Sequence, residues 1–136
     1  MQFIKDNLFI VALAVASGVM LLWPLLSRKL SGGKQVDTLE AVQKINHDDA
    51  IVIDVREPAE ITQGKIPKAK LIPLGELKGR VAELEKYKTK PVIVVCRSGN
   101  RSAGACGILA KSGFTDVYNL AGGMIAWGQA NLPVEK

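Results

Sequence analysis

The stretch VIVVCRSGNRSAGACGIL, residues 92–109, joins a β-branched apolar run to a cysteine and a short basic loop. The apolar run predicts a strand buried on both faces, as strands of parallel sheets are. From Arg101 the residues predict a helix that ends at Gly113. Cys96 is the first residue after the strand, and it therefore lies where ligands bind in open parallel sheets.

The loop CRSGNR, residues 96–101, predicts a site that holds sulfur as an anion. Backbone amides at the start of a helix form a concave surface that binds anions. Arg97 and Arg101 add positive charge, and both effects favour the thiolate of Cys96. The only histidine, His47, precedes a predicted strand and so lies at the opposite end of the sheet. We therefore expect no cysteine–histidine pair and predict a solvated loop position for His47.

Strands and helices alternate along most of the chain, which predicts a three-layer α/β domain with a central parallel sheet flanked by helices. We place this domain at residues 36–136. The strands are predicted at residues 50–55, 69–72, 91–95 and 116–120. The helices are predicted at residues 37–45, 59–63, 75–87, 101–114 and 122–130.

The amino-terminal part has a different composition. No charged side chain occurs from Asn7 to Ser27, and this run is close to the ~20 residues that cross a bilayer as a helix. We predict a short N-terminal segment (1–6), a transmembrane helix in contact with the lipid bilayer (7–27) and a basic linker (28–35).

Two alternatives fit the apolar run less well. A cleaved signal peptide would end in a small-residue cleavage site, but here Arg28 and Lys29 follow the leucines directly. A buried core helix of this length would show a polar stripe, and the sequence has none. The excess of lysine and arginine after the helix predicts a single-pass protein of the inner (plasma) membrane with a cytoplasmic domain. Two cysteines ten residues apart agree with a reducing compartment.

Charge and motifs argue against several classes of function. The net charge is +5, and Lys65, Lys68 and Lys70 form a basic cluster. Because no aromatic residues are interleaved with these lysines, we expect a solvated face and no nucleic-acid partner. The sequence has no metal-ligand cluster and no phosphate-binding glycine motif, so we expect neither a metal nor a cofactor.

Three motifs in this order resemble the single-domain rhodaneses, a family of sulfurtransferases. They are IDVREPAEITQGKIPKAKLIPL (53–74), CRSGNRS (96–102) and NLAGGMIAW (119–127). The similarity extends from about residue 36 to 133. Lys65 and Lys68 stand where the family often has histidine and glycine, at positions that we expect to be remote from the chemistry.

The resemblance implies that Cys96 attacks the outer sulfur of a donor such as thiosulfate and becomes a persulfide. It then passes the sulfur to cyanide or another thiol, and a protein persulfide is a further candidate partner. The resemblance also implies that the loop amides hold the outer sulfur. The predicted substrate-binding residues of the active loop are Arg97, Ser98, Gly99, Asn100, Arg101 and Ser102.

Other residues near the motifs have structural interpretations. Asp54 and Arg56 are predicted to orient the active loop, to help bind substrate, or to form a structural ion pair or hydrogen-bond network near the end of the strand. Cys106 is predicted to be a small core residue. We predict a turn at residues 122–123 and a core position for Trp127.

Two other functions remain as alternatives. The first is a non-catalytic docking module of the same fold at the membrane, which would have no use for the nucleophile in CRSGNRS. The second is a phosphatase or arsenate reductase. Phosphatases with a related loop resemble C-x5-R, whereas four residues separate Cys96 from Arg101 here.

Overall fold

The computed structural model describes residues 2–30 and 34–136. The chain divides into two compact units, Met1–Leu30 and Ser31–Lys136. The first unit contains the helices α1 (Gln2–Asp6) and α2 (Leu8–Leu30). Large apolar side chains of α2 are exposed, among them Phe9, Met20 and Leu21.

The structure confirms a helix in the amino-terminal apolar run but does not support the predicted transmembrane span at residues 7–27. A helix that crosses a bilayer needs about 20 apolar residues. Within the residues described, no helix is both long enough and apolar enough to do so.

The second unit contains five strands, five α-helices and one 3₁₀ helix among the residues described. The strands are β1 (Lys34–Val36), β2 (Ile51–Asp54), β3 (Lys70–Leu71), β4 (Val92–Val95) and β5 (Val117–Leu120). The helices are α3 (Thr38–His47), α4 (Pro58–Ile61), α5 (Leu74–Arg80), the 3₁₀ helix Val81–Tyr87, α6 (Asn100–Lys111) and α7 (Gly123–Gln129).

All strand pairs are parallel, and the strand order is β1-β5-β4-β2-β3. The central strand β4 is buried along its whole length, which explains its continuous β-branched sequence. Asp54, the last residue of β2, is in register with Val95, the last residue of β4. The carboxyl ends of these two strands therefore meet at one edge of the sheet.

Helices cover both faces of the sheet, as the alternating pattern predicts. On one face, Leu77 of α5 and Leu109 of α6 pack with Ile53 and Val94. On the other face, Ala41 of α3 and Trp127 of α7 pack with Ile93. Trp127 thus has the core position predicted for it. The α/β architecture with a central parallel sheet is confirmed.

Two local predictions differ from the structure. Lys34–Val36 forms the edge strand β1 and residues 28–30 belong to α2, whereas the sequence predicts a linker over residues 28–35 and a domain that begins at Val36. Residues 31–33 of that linker lie outside the described part. The strand β1 is too short and polar to show an apolar pattern, and it depends on its pairing with β5. The helix predicted at 75–87 is divided near Arg80, whose φ of −118° is not helical.

Candidate active site

Cys96 lies directly after β4, at the carboxyl edge of the sheet, and is buried with 1% exposure. The loop after it turns sharply into α6. Gly99 precedes the helix and has φ = +102°, a left-handed conformation that favours glycine. The buried strand and the helix thus hold the thiol from two sides. His47 is the last residue of α3 and is exposed. It comes shortly before the start of β2, at the edge of the sheet opposite to Cys96.

Hydrogen-bond donors surround the sulfur of Cys96. The Gly99 amide donates to Sγ at 3.1 Å, and the hydroxyl oxygen of Ser102 lies 3.3 Å from it. Burial acts to raise the pKa of Cys96, but the Ser102 hydroxyl and the amides of Ser102, Gly99 and Ser98 together lower it below the ordinary value. The site therefore favours a thiolate, and it does so without a histidine.

The amino-terminal end of α7 determines how the first two peptide groups of this loop are oriented. The amides of Met124 and Ile125 donate to the carbonyl oxygens of Cys96 and Arg97, at 2.8 and 3.1 Å. Because each peptide unit is planar and trans, the amides that follow these carbonyls point away from α7. One of them belongs to Ser98, whose amide contributes to the lowered pKa of Cys96.

Gly123 makes this approach possible. A Cβ atom at this position would lie 2.6 Å from the carbonyl carbon and oxygen of Arg97, and closer still to the carbonyl oxygen of Cys96. The sequence predicts only a turn at residues 122–123. The structure places these glycines where α7 contacts the loop, and a side chain at 123 would separate the two.

The buried polar residue Asn119 joins the loop to β5, and the sequence reasoning missed it. Its side-chain amide donates to the carbonyl oxygen of Gly99 at 3.0 Å, and its Oδ1 accepts a short hydrogen bond from the Ser102 hydroxyl. Asn119 is 3% exposed and Ser102 is fully buried. An asparagine within the apolar strand VYNL was the available signal, since buried polar side chains need partners.

The two loop arginines have different surroundings. Both terminal nitrogens of Arg101 bind the Glu60 carboxylate, at 2.6 and 2.8 Å. This ion pair holds the pKa of Glu60 down at about 2 and raises that of Arg101. Arg101 is therefore compensated by a carboxylate. Arg97 is exposed and lines a neighbouring cleft.

Asp54 and Arg56 form a buried ion pair with an N–O distance of 2.7 Å. The Arg56 guanidinium also donates to the carbonyl oxygens of Gly64 and Glu60, at 2.9 and 3.4 Å. Through these bonds the pair connects the end of β2 to α4 and to the segment that carries Gly64. The contacts agree with the structural interpretation of the pair.

A cleft of about 580 Å³ adjoins the loop. Its polar lining includes Arg56, Glu60 and Arg97, and its apolar lining includes Met124 and Ile125. This volume lies in the range of small-molecule sites. The cleft therefore places an exposed cation and an apolar wall beside the loop of Cys96.

Cys96 and Cys106 are both free thiols. Cys106 belongs to α6 and is fully buried in the core, as predicted, and burial raises its pKa to about 12. Within residues 2–30 and 34–136, no group of three or more histidine, cysteine or acidic side chains is arranged to bind a metal.

The known proteins that this chain resembles in sequence and in structure belong to one family. The rhodanese-like domain family matches residues 37–130. A sulfurtransferase of Allochromatium vinosum is 39% identical over 101 residues, which cover 74% of this chain and 92% of that protein. The thiosulfate sulfurtransferase GlpE of Pseudoalteromonas translucida is 30% identical over 97 residues, or 71% of this chain and 90% of GlpE. The crystal structure of a rhodanese-related protein from Thermoplasma volcanium superposes with a TM-score of 0.68 at 31% identity, and the match covers 75% and 97% of the two chains.

Proposed function

The chain belongs to the family of rhodanese-like domains, and we propose that it is a sulfurtransferase that carries sulfur as a persulfide on Cys96. One observation carries the proposal: the buried sulfur of Cys96 accepts the Gly99 amide at 3.1 Å within a loop whose donors lower its pKa. A thiolate and a persulfide anion have the same requirement for inward-facing donors.

The proposed reaction has two steps. In the first, the Cys96 thiolate attacks the outer sulfur of thiosulfate; a new S–S bond forms, the S–S bond of thiosulfate breaks, and sulfite leaves with the electron pair. In the second, cyanide or a thiolate attacks the outer sulfur of the persulfide. The S–S bond to Cys96 breaks and the thiolate is regenerated, so no net oxidant is needed.

Arg97 is the side chain that we propose for binding the anionic donor. It is exposed and lines the cleft, whereas Arg101 is engaged by Glu60. We therefore assign Arg101 to holding the loop against α4 and leave donor binding to Arg97 and the loop amides.

The test is mass spectrometry of the protein after incubation with thiosulfate. We expect one additional sulfur atom on Cys96, and its loss when cyanide is added. The variant Cys96→Ser should show no adduct, and the matched variant Cys106→Ala should retain it. If no adduct forms and thiosulfate and cyanide are not turned over, the proposal is wrong.

The same variants separate the alternatives. A docking module would keep its cellular function in the Cys96→Ser protein. A phosphatase would hydrolyse p-nitrophenyl phosphate in a reaction that requires Cys96. The sulfurtransferase proposal expects loss of cellular function in the first test and no hydrolysis in the second.

The location of the domain is a separate proposal. We propose that the chain is attached to the plasma membrane through α2, with the domain on the cytoplasmic side. Support comes from the exposed apolar side chains of α2, such as Phe9 at 80% and Met20 at 79% exposure, and from Arg28, Lys29 and Lys34, the basic residues that follow the apolar run in the sequence. Membrane fractions should retain the chain at alkaline pH, and protease added outside spheroplasts should not cleave the domain. Release of the chain into the soluble fraction would contradict the attachment.

A further inference from the structure

The Ser102 hydroxyl lies between two acceptors but has only one proton to donate. Its oxygen is 3.3 Å from Cys96 Sγ, where either atom could be the donor. On its other side it donates to Asn119 Oδ1. Because Ser102 is fully buried and Asn119 is 3% exposed, water does not readily replace either partner.

The orientation of the Asn119 amide decides which way the Ser102 proton points. The carbonyl oxygen of Gly99 can only accept a hydrogen bond, and the Asn119 atom that faces it at 3.0 Å must therefore be the nitrogen. A second acceptor, the side-chain oxygen of Gln35, lies 3.4 Å from the same nitrogen. This arrangement leaves Asn119 Oδ1 facing Ser102. In the neutral state the Ser102 proton points to Asn119, and the thiol of Cys96 donates to the Ser102 oxygen.

We propose that Asn119 is a positioning residue that competes with the Cys96 sulfur for the Ser102 proton. When the sulfur is neutral, Ser102 donates to Asn119. When the sulfur is an anion, the hydroxyl turns about its Cβ–Oγ bond and donates to the sulfur. The proton stays on Ser102, and no covalent bond is made or broken in this step. The thiolate thus gains the Ser102 donor only by taking it from Asn119.

The charged and titratable groups around Cys96 do not change the competition between Asn119 and the sulfur for the Ser102 proton. Arg101 is the cation that interacts electrostatically with Cys96, and it is paired with Glu60. Cys106 also interacts with Cys96, but it stays protonated because its pKa is raised to about 12. The remaining partners are backbone amides, which cannot change their direction without a change in the loop.

The proposal is tested by following the alkylation of Cys96 with iodoacetamide as a function of pH, by peptide mass spectrometry of the full chain. The variant Ser102→Ala should raise the midpoint because the thiolate loses a donor. The variant Asn119→Ala should lower the midpoint, because the Ser102 proton is then free to stabilise the thiolate. Alkylation at a pH below the midpoint should be about fivefold faster, which corresponds to about one net hydrogen bond. In this variant the Gly99 carbonyl keeps the Ala103 amide as a donor at 3.3 Å.

The double variant discriminates between competition and a structural role. With Ser102→Ala present, the change Asn119→Ala should leave the midpoint unchanged, since no hydroxyl proton remains to compete for. An equal shift in both backgrounds, or an upward shift in Asn119→Ala alone, would overturn the proposal.

A measurement on the unchanged protein covers the case in which a variant does not fold. The ¹³Cγ and ¹⁵Nδ2 shifts of Asn119 should change with the midpoint of Cys96 alkylation, because the side-chain carbonyl loses its donor there. Shifts that stay constant through the midpoint would also overturn it. The inference rests on the proposed function only in taking Cys96 as the reactive sulfur. Its experiments measure the ionisation of Cys96 and not sulfur transfer. If they fail, the persulfide test of the proposed function still stands.

Discussion

The backbone of Gly123 lies directly against the carbonyl group of Cys96, although 26 positions separate the two residues in the sequence. The next residue, Met124, donates its amide to that carbonyl oxygen at 2.8 Å. The start of α7 therefore holds the first peptide group of the active loop with its oxygen turned outward. The second peptide group is held in the same way by Ile125.

The variant Gly123→Ala should reduce sulfur transfer on the order of 100-fold, as expected when reacting groups are displaced by about 1 Å. The added Cβ cannot coexist with the Cys96 and Arg97 carbonyls, so the loop or α7 must move. The backbone at φ = +54° adds a cost of roughly 1–2 kcal/mol for a residue with a side chain. Steady-state kinetics and urea unfolding measure the two effects.

The matched control is Gly104→Ala in α6. This position is exposed, and a Cβ there meets no atom within 4 Å. We expect unchanged kinetics and a gain of up to about 1 kcal/mol in stability, since alanine is favoured over glycine in helices. Equal activity of the two alanine variants would contradict the role assigned to Gly123.

The two thiols should differ in reactivity in the native protein. Iodoacetamide near neutral pH should modify Cys96 and leave Cys106 intact, because burial raises the pKa of Cys106 to about 12 while the loop donors lower that of Cys96. The pH midpoint for Cys96 should lie below the value for the unfolded chain, where both cysteines should react alike. Peptide mass spectrometry resolves the two sites, and preferential labelling of Cys106 would contradict this order.

The Glu60–Arg101 pair should contribute pH-dependent stability. The pKa of Glu60 falls from the ordinary 4.5 to about 2 in the folded state, so the contribution is fully present above pH 4.5 and is lost as pH falls toward 2. The side chains are 30% and 37% exposed, and screening limits the effect to about 1 kcal/mol or less. Urea unfolding should show Glu60→Gln less stable than the parent at pH 7, with the difference shrinking below pH 4.5. A difference that is constant over this pH range would count against the pair.

Removal of Arg56 should be more costly than the loss of an exposed pair. The variant Arg56→Met leaves the fully buried Asp54 carboxylate without its partner, which costs roughly 3–5 kcal/mol. The double variant with Asp54→Asn should recover part of this loss, because the buried charge is then gone. Urea unfolding tests both, with Arg80→Met as a control in an exposed pair. If Arg56→Met and Arg80→Met had the same free energy of unfolding, leaving the Asp54 carboxylate buried and unpaired would carry no extra cost, and the prediction would be wrong.

Much of the fold follows from local sequence. The continuous β-branched run before Cys96 predicts a strand that is buried on both faces. The spacing of the apolar residues after Asp37 predicts a helix that packs one face against a sheet. Asp37 accepts the Glu40 amide at 2.8 Å as the predicted helix cap. The edge strand β1 was missed because three residues with a mixed pattern carry no signal without their partner β5.

The sequence by itself determined that a cysteine follows a buried strand and is succeeded by a basic, glycine-containing turn into a helix, since these features depend on neighbours in the chain. Only the tertiary structure decided which groups act on that sulfur. Asn119, Glu60 and Gly123 contact loop residues that lie 17 to 41 positions away in the sequence, and each contact depends on where a strand or a helix begins or ends in space. Local propensity does not encode such contacts, because they are produced when the sheet brings the carboxyl ends of its strands to a single edge.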